Sequence, residues 1–170
     1  MYVIQISSTS NDYVLGRPIK GYPSANQSYD DVVSPAFMIA SQLGAVSVFT
    51  GNNAATNAAN HCDQYMEVAK DGTRYTGWRL PTQSEIKVIV GYQEGEINNV
   101  TIPTAYQTIT PVLTGAHYWC LSGRKIRTSD NQIITDNNVN AYLRCVRDLS
   151  AEEVERLNGF DKIVDKYQNK

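Results

Sequence analysis

Few residues of this chain could carry chemistry, and they are scattered. Three cysteines, Cys62, Cys120 and Cys145, have no Cys-x-x-Cys spacing and only two histidines, His61 and His117, to join them. A zinc site takes four Cys or His ligands, usually in closely spaced pairs, so no metal site is expected. The thiols can form one disulfide and leave one free, or stay as three buried thiols; composition does not separate the two. His61 and His117 read as surface or packing histidines, and Asp30-Asp31 as solvated turn residues. Asp130, Asp136, Asn137 and Asn138 offer the hard oxygens that calcium prefers, but their spacing fits no defined calcium loop. Neither a Gly-rich phosphate loop nor a nucleophile elbow occurs. No catalytic residue and no cofactor is expected.

What remains is chemistry of contact. The stretch from Asn98 to Tyr142 is rich in Asn, Thr, Ser, Ile and Tyr. Tyrosine supplies rigid amphipathic area, and Asn and Ser supply adaptable hydrogen bonds. Arg124, Lys125 and Arg127 form a basic cluster near Tyr118 and Trp119. The residues expected to meet a ligand are Arg124, Lys125, Arg127, Ser129, Asn131, Asp136, Asn137, Asn138, Asn140 and Tyr142. The competing reading is a solvated strand face over a buried aromatic pair; Trp119 is read as a structural core residue.

Those residues need a scaffold, and composition bounds it. A chain of 170 residues, 42% of them hydrophobic, can bury one sizeable core. Its formal charge of -2 lacks the basic excess of a nucleic-acid binder. No apolar run reaches the roughly 18 residues that span a bilayer, and Met1 to Ser8 lack the pattern of a signal peptide. Direct membrane insertion is not expected. Such a chain is either cytoplasmic or continues upstream into its own export signal.

The elements follow from periodicity. Tyr2 to Ile6 alternates as a strand, and a loop-rich stretch runs on to Asp31. Ala36 to Ala40 and Ala45 to Phe49 are short apolar runs suited to strands, or to one strand plus a turn. From Ala55 to Ala69, small and apolar residues recur at spacings of three and one, the stripe of an amphipathic helix that turns Cys62 inward and ends at Gly72. Thr82 and Glu85 have capping-box spacing at the start of a helix from Gln83 to Tyr92, and Pro81 forces Leu80 to arrive extended. Trp78, Leu80, Thr82 and Glu85 are therefore structural. Strands are expected at Tyr118 to Leu121, Lys125 to Thr128, Gln132 to Thr135 and Tyr142 to Val146, as an antiparallel meander with a hairpin turn at Ser129-Asp130-Asn131. Leu143 and Cys145 share a face of the last. Ser150 and Glu153 form a second capping box, with Leu149 and Val154 as a staple, opening a helix toward Asn158-Gly159. Phe160 to Lys170 would continue that helix or fray.

The helix bearing Cys62, the stretch Gly77-Trp78-Arg79-Leu80-Pro81-Thr82 with Glu85, the Tyr118-Trp119 strand and the closing Arg144-Cys145-Val146-Arg147-Asp148 together resemble the C-type-lectin-like fold. The variant is that of formylglycine-generating enzymes, the Fibrobacter major-paralogue domain and C-terminal domains of Bacteroidales surface and fimbrial-tip proteins. The resemblance runs from Ala36 to Asp148. It implies an α+β fold with two helices packed on a twisted antiparallel sheet. Residues 1–149 would form one domain, loop-rich over 1–35, and residues 150–170 a short charged helical tail.

In that fold a cysteine of the first helix commonly bridges to one in the last strand, here Cys62 to Cys145. The bridge would contribute roughly 4 to 5 kcal/mol, require an oxidising compartment, and leave Cys120 a buried thiol. Calcium-dependent lectins of this fold use Glu-Pro-Asn or Gln-Pro-Asp with Trp-Asn-Asp, and none of these triplets occurs here. A formylglycine-type oxidase needs two cysteines on copper, and Cys120 would stand alone. The resemblance therefore implies a non-catalytic, extracellular or cell-surface module of adhesin or receptor type. Its partners would be a protein or glycan ligand, with neighbouring domains or pilus subunits as further candidates. Alternatives are a variable protein of a diversity-generating retroelement, whose binding face would be Arg124 to Tyr142, a formylglycine-type oxidase, or a structural pilus subunit.

Overall fold

The run Ala36-Phe37-Met38-Ile39-Ala40 is apolar without alternation, a pattern stable in a strand only when both its faces are covered. In the computed structural model it supplies an inner strand with apolar clusters on either side. Ala36, Met38 and Ala40 belong to one buried cluster, and Phe37 and Ile39 to the other. The structure describes residues 2–6, 13–17, 29–41, 48–49, 53–94, 96–97, 100–101, 112–156 and 162–164. Readings that fall on residues 7–12 and 18–28 of the N-terminal loop, on residues 45–47 and on Asn158-Gly159 lie outside the described residues.

In chain order the elements are β1 (Tyr2–Gln5), β2 (Val14–Leu15), β3 (Val32–Val33), β4 (Ala36–Ile39), β5 (Val48–Phe49), α1 (Ala54–Gln64), β6 (Glu67–Val68), β7 (Arg74–Tyr75) and α2 (Gln83–Glu94). There follow β8 (Glu96–Ile97), β9 (Val100–Thr101), β10 (His117–Trp119), β11 (Lys125–Arg127), β12 (Ile133–Ile134), β13 (Ala141–Tyr142), β14 (Val146–Asp148), α3 (Ala151–Arg156) and β15 (Lys162–Val164). The fold class is α+β, as expected. One sheet has the order β14-β4-β1-β15 and a second β12-β11-β10-β13-β5; the pairs β2-β3, β6-β7 and β8-β9 stand apart from them.

The two clusters explain the strand sequences. Val3, Met38, Trp119, Leu121, Leu143 and Cys145 join Ala58 and Cys62 of α1, with Trp78 and Leu80, on one side. Ile4, Phe37, Ile39, Tyr118, Cys120, Ile126 and Val146 join Ile86, Ile89 and Tyr92 of α2 on the other. Adjacent residues thus serve opposite clusters, as the period of two requires. A disulfide ties Cys62 to Cys145 across 83 residues, with Cα atoms 5.5 Å apart, and Cys120 is the buried free thiol.

The first helix is shorter than its apolar stripe. It stops at Gln64, and Tyr65 is extended at φ -68° and ψ 140°. The stripe continues into a hairpin instead: β6 pairs with β7, and the Ala69 and Gly72 amides donate to Thr73 and Ala69 carbonyls at 2.9 Å each. Gly72, at φ +87°, closes this hairpin and not the helix. Tertiary bonds draw the chain out of helix here: the Tyr65 hydroxyl donates to Glu67 Oε1 at 2.6 Å, and the Ser41 amide donates to the same oxygen at 3.0 Å. Met66, expected inward, is 45% exposed.

The stretch Trp78-Arg79-Leu80-Pro81-Thr82 is a buried strap. The Thr82 amide donates to Glu85 Oε1 at 2.9 Å and the Glu85 amide to Thr82 Oγ1 at 3.0 Å, closing the capping box. Trp78 and Leu80 are buried, and Arg79 exchanges backbone hydrogen bonds with Val146. The Arg79 guanidinium, also buried, donates to Glu85 Oε1 and Oε2 at 2.7 and 2.9 Å and to Asp148 Oδ1 at 2.8 Å. Glu85 Oε2 also accepts the Ser34 amide at 3.0 Å. One carboxylate therefore joins the strap, the start of α2 and the approach to β4. Two carboxylate neighbours keep the guanidinium ionised despite the opposing cost of its burial.

Beyond β12 the expected meander breaks. β13 pairs with β10 in parallel, on the opposite side from β11, and β14 leaves to pair with β4. The stretch Tyr142 to Val146 is thus no single strand, because Leu143 to Cys145 must carry the chain from one sheet to the other. Ser150 and Glu153 cap α3 reciprocally at 3.2 and 3.1 Å. Of the stretch from Phe160 to Lys170, expected to continue as helix or fray, residues 162–164 instead form β15, which lies parallel to β1 with Val3 opposite Lys162, and the rest lies outside the described residues.

Candidate binding face

The second sheet carries the residues expected to bind, and its register determines which can meet. Trp119 stands opposite Lys125, and His117 opposite Arg127, so these four side chains share a face. The Lys125 ammonium lies 5.3 Å from the centroid of the Trp119 ring. Residues 135–140 leave β12 opposite Lys125 and re-enter the sheet at Ala141, beyond β10, so they cross both β11 and β10. The crossing runs over the Lys125 side, because Lys125 Nζ donates to the carbonyls of Asp136 and of Val139, the latter at 3.0 Å.

Lys125, expected to meet a ligand, is placed differently from the exposed residues of the crossing. It is only 3% exposed, lies beneath the crossing and directs its charge at the loop's own carbonyls. The loop also closes on itself: Asp136 Oδ1 accepts the Asn138 amide at 2.9 Å, and the Asp136 carbonyl accepts the Val139 amide at 3.2 Å. This is an Asx-type turn, the local bonding that Asp offers in place of secondary structure. Asp136, Asn137, Asn138 and Asn140 are left exposed on the outside.

The basic cluster is split. Arg124 precedes β11 and is turned to Asp30 at 3.9 Å, beside the start of α2, where the Asp30 carbonyl accepts the Ser84 amide. Arg127 ends β11 and donates to Asp130 from Nε at 3.0 Å and from Nη2 at 2.6 Å. The bond from Arg127 holds the Asp130 carboxyl below its ordinary range. Asn131 takes the left-handed conformation at φ +57°, which Asn tolerates better than most residues, and its amide donates to Arg127. It shapes the turn, while Ser129 on the same turn is exposed.

Tyr142, half-buried, stands opposite Tyr118 with ring centroids 6.2 Å apart. A neighbour that sequence reasoning missed fixes it: Gly115 passes so close that a Cβ there would lie 2.3 Å from the ring. The Gly115 amide donates to the Tyr118 hydroxyl at 2.9 Å. His117 is held below its ordinary pKa, first by desolvation and then by the charges of Arg127 and Lys125. Sequence reasoning also missed the Arg79–Glu85–Asp148 network; its signal was one arginine between Trp78 and Leu80, with carboxylates at Glu85 and Asp148.

Cys120 is buried, and burial pushes its thiol up. Among the described residues no three His, Cys, Asp or Glu side chains are grouped to hold a metal, and no helix is long and apolar enough to cross a membrane.

Over 143 residues the chain is 30% identical to the major fimbrium tip subunit FimD of Porphyromonas gingivalis, a match covering 70% of this chain and 20% of the relative. A second sequence of the same description from that species matches to the same extent. The chain spans about a fifth of the length of the curated relatives it matches. A family model described as a pepsin inhibitor-3-like repeated domain matches residues 124–170. No solved structure matches the chain.

Proposed function

We propose that this chain is a non-catalytic, cell-surface ligand-binding module of adhesin type, built as a C-type-lectin-like domain. Its contact face comprises the crossing 135–140, Arg127, Ser129 and Tyr142. The observation that carries the reading is the exposed row Asp136, Asn137, Asn138 and Asn140, laid over a buried Lys125–Trp119 base. A rigid base beneath adaptable amides lowers the ordering cost of binding. Likeness to a fimbrium tip subunit and a buried disulfide, which persists in oxidising compartments, support the surface location. Lys125 and Asn131 serve as supports within the face, and Arg124 borders it beside Asp30. The described elements make up one domain, with β15 completing its first sheet.

A structural fimbrial role, with a neighbouring subunit as sole partner, is the second reading, favoured by the same relative. The oxidase alternative needs two thiolates, whereas two of the three cysteines are joined to each other and the third is buried. A retroelement-diversified receptor would use the same face and would be accompanied by an adenine-rich template repeat and a reverse transcriptase gene. The test of the binding reading is a screen of the purified protein against glycans and surface proteins. Any confirmed ligand is then measured against alanine variants of Arg127, Asn138 and Tyr142. Unchanged affinity in all three would refute the assignment of the face.

A further inference from the structure

We propose that Lys125 is the positioning residue of this face, fixing the shape of residues 135–140 from beneath. Its functional consequence rests on the binding reading above; its geometry does not. A lysine on a strand facing solvent would keep its ammonium hydrated. This one is buried, and its ammonium meets the Asp136 and Val139 carbonyls, one near each end of the exposed row. A single group with several donors can hold two carbonyls at a fixed separation. Among the described residues the crossing has no strand ladder of its own, its neighbours in the sheet being paired at Ile134 and Ala141. Within the loop, bonds join Asp136 to Asn138 and Val139. Lys125 therefore links the crossing to the sheet below it by side chain, and its ammonium lies 5.3 Å from the centroid of the Trp119 ring.

The outward side chains are then separated from the framework. Asn138 and Asn140 point into solvent while the backbone that carries them is held by Lys125. Substitution on the outside should change what is bound and leave the loop's shape alone. Removal of the ammonium should do the reverse.

The experiment compares Lys125→Met, Lys125→Arg and Asn138→Ala with the parent protein by amide hydrogen exchange resolved to single residues. In Lys125→Met the Asn138 and Val139 amides should exchange roughly tenfold faster or more, the scale of a lost charge-assisted bond. Amides of α2 and β10 should keep their parent rates. Lys125→Arg should restore protection at least in part, and Asn138→Ala should leave the Val139 rate unchanged. Unaltered exchange at Asn138 and Val139 in a folded Lys125→Met protein would overturn the proposal. Should that variant fail to fold, the parent decides: its Lys125 ammonium should give a slowly exchanging proton–nitrogen signal with contacts to the Asp136 and Val139 carbonyl carbons, and a freely exchanging ammonium would overturn it. Binding of a confirmed ligand is read separately. A loosened loop with unchanged affinity would count against the binding face and leave the positioning role standing.

Discussion

Replacing both bridged cysteines with alanine gives the prediction with the most firmly worked magnitude. Cys62 and Cys145 are each 0% exposed, so alanine keeps the sites apolar, and the main loss is the cross-link. For a sequence separation of 83, the chain-entropy relation gives about 4.5 kcal/mol at 25 °C. A domain of ordinary stability holds about 5–15 kcal/mol in all, so this is a large share. At about 2–4 °C per kcal/mol for a chain of this size, the melting temperature should fall by roughly 9–18 °C. The assay is urea unfolding of the parent and the Cys62→Ala/Cys145→Ala protein, read as a shift in midpoint, with thermal melts alongside. Because both sulfurs are out of reach of solvent, a reductant should act on the parent only as fast as the protein opens. A destabilisation below about 1 kcal/mol, with the bridge demonstrated in the parent by peptide mapping, would refute the reasoning.

Other predictions follow from named contacts. Arg79→Met leaves Glu85 buried without its counter-charge and should cost about 3–5 kcal/mol in urea unfolding, whereas Arg127→Ala, at an exposed pair, should leave the midpoint unchanged. Gly115→Ala forces the Tyr142 ring to move from a 2.3 Å overlap; ring proton shifts should report the displacement, with a loss of about 1–3 kcal/mol. His117 has a folded pKa depressed below 6.5, so the stability it contributes is complete above that value and declines as pH falls through it toward the folded pKa. NMR titration should show the depression, and Arg127→Gln should move the pKa back upward by removing a neighbouring positive charge.

The parts of this fold legible in the sequence were those set by local chemistry. The Thr82–Glu85 and Ser150–Glu153 boxes close as their spacing requires, because a cap involves only residues one turn apart. The apolar run from Ala36 read as a strand, and its unbroken character follows from cover on both faces. Failures came where distant contacts outweighed local pattern. Nothing within the stripe from Ala55 to Ala69 announces that Glu67 will be engaged by Ser41, and that contact accompanies the end of α1 at Gln64. Lys125 looks like any surface lysine until the crossing is laid over it. Arg124 and Arg127 are near in sequence, but a strand's length separates their surroundings. Arg79 lay in plain view between Trp78 and Leu80, yet its partners come from α2 and β14.

The most direct test of the binding claim is the affinity of the purified protein for a ligand recovered from the glycan and surface-protein screen, measured before and after alanine is placed at Arg127, Asn138 and Tyr142 together. The account predicts that the folded triple variant loses most of its affinity while retaining the parent's disulfide. Full affinity in that variant would contradict it and move the search for a contact surface elsewhere on the molecule.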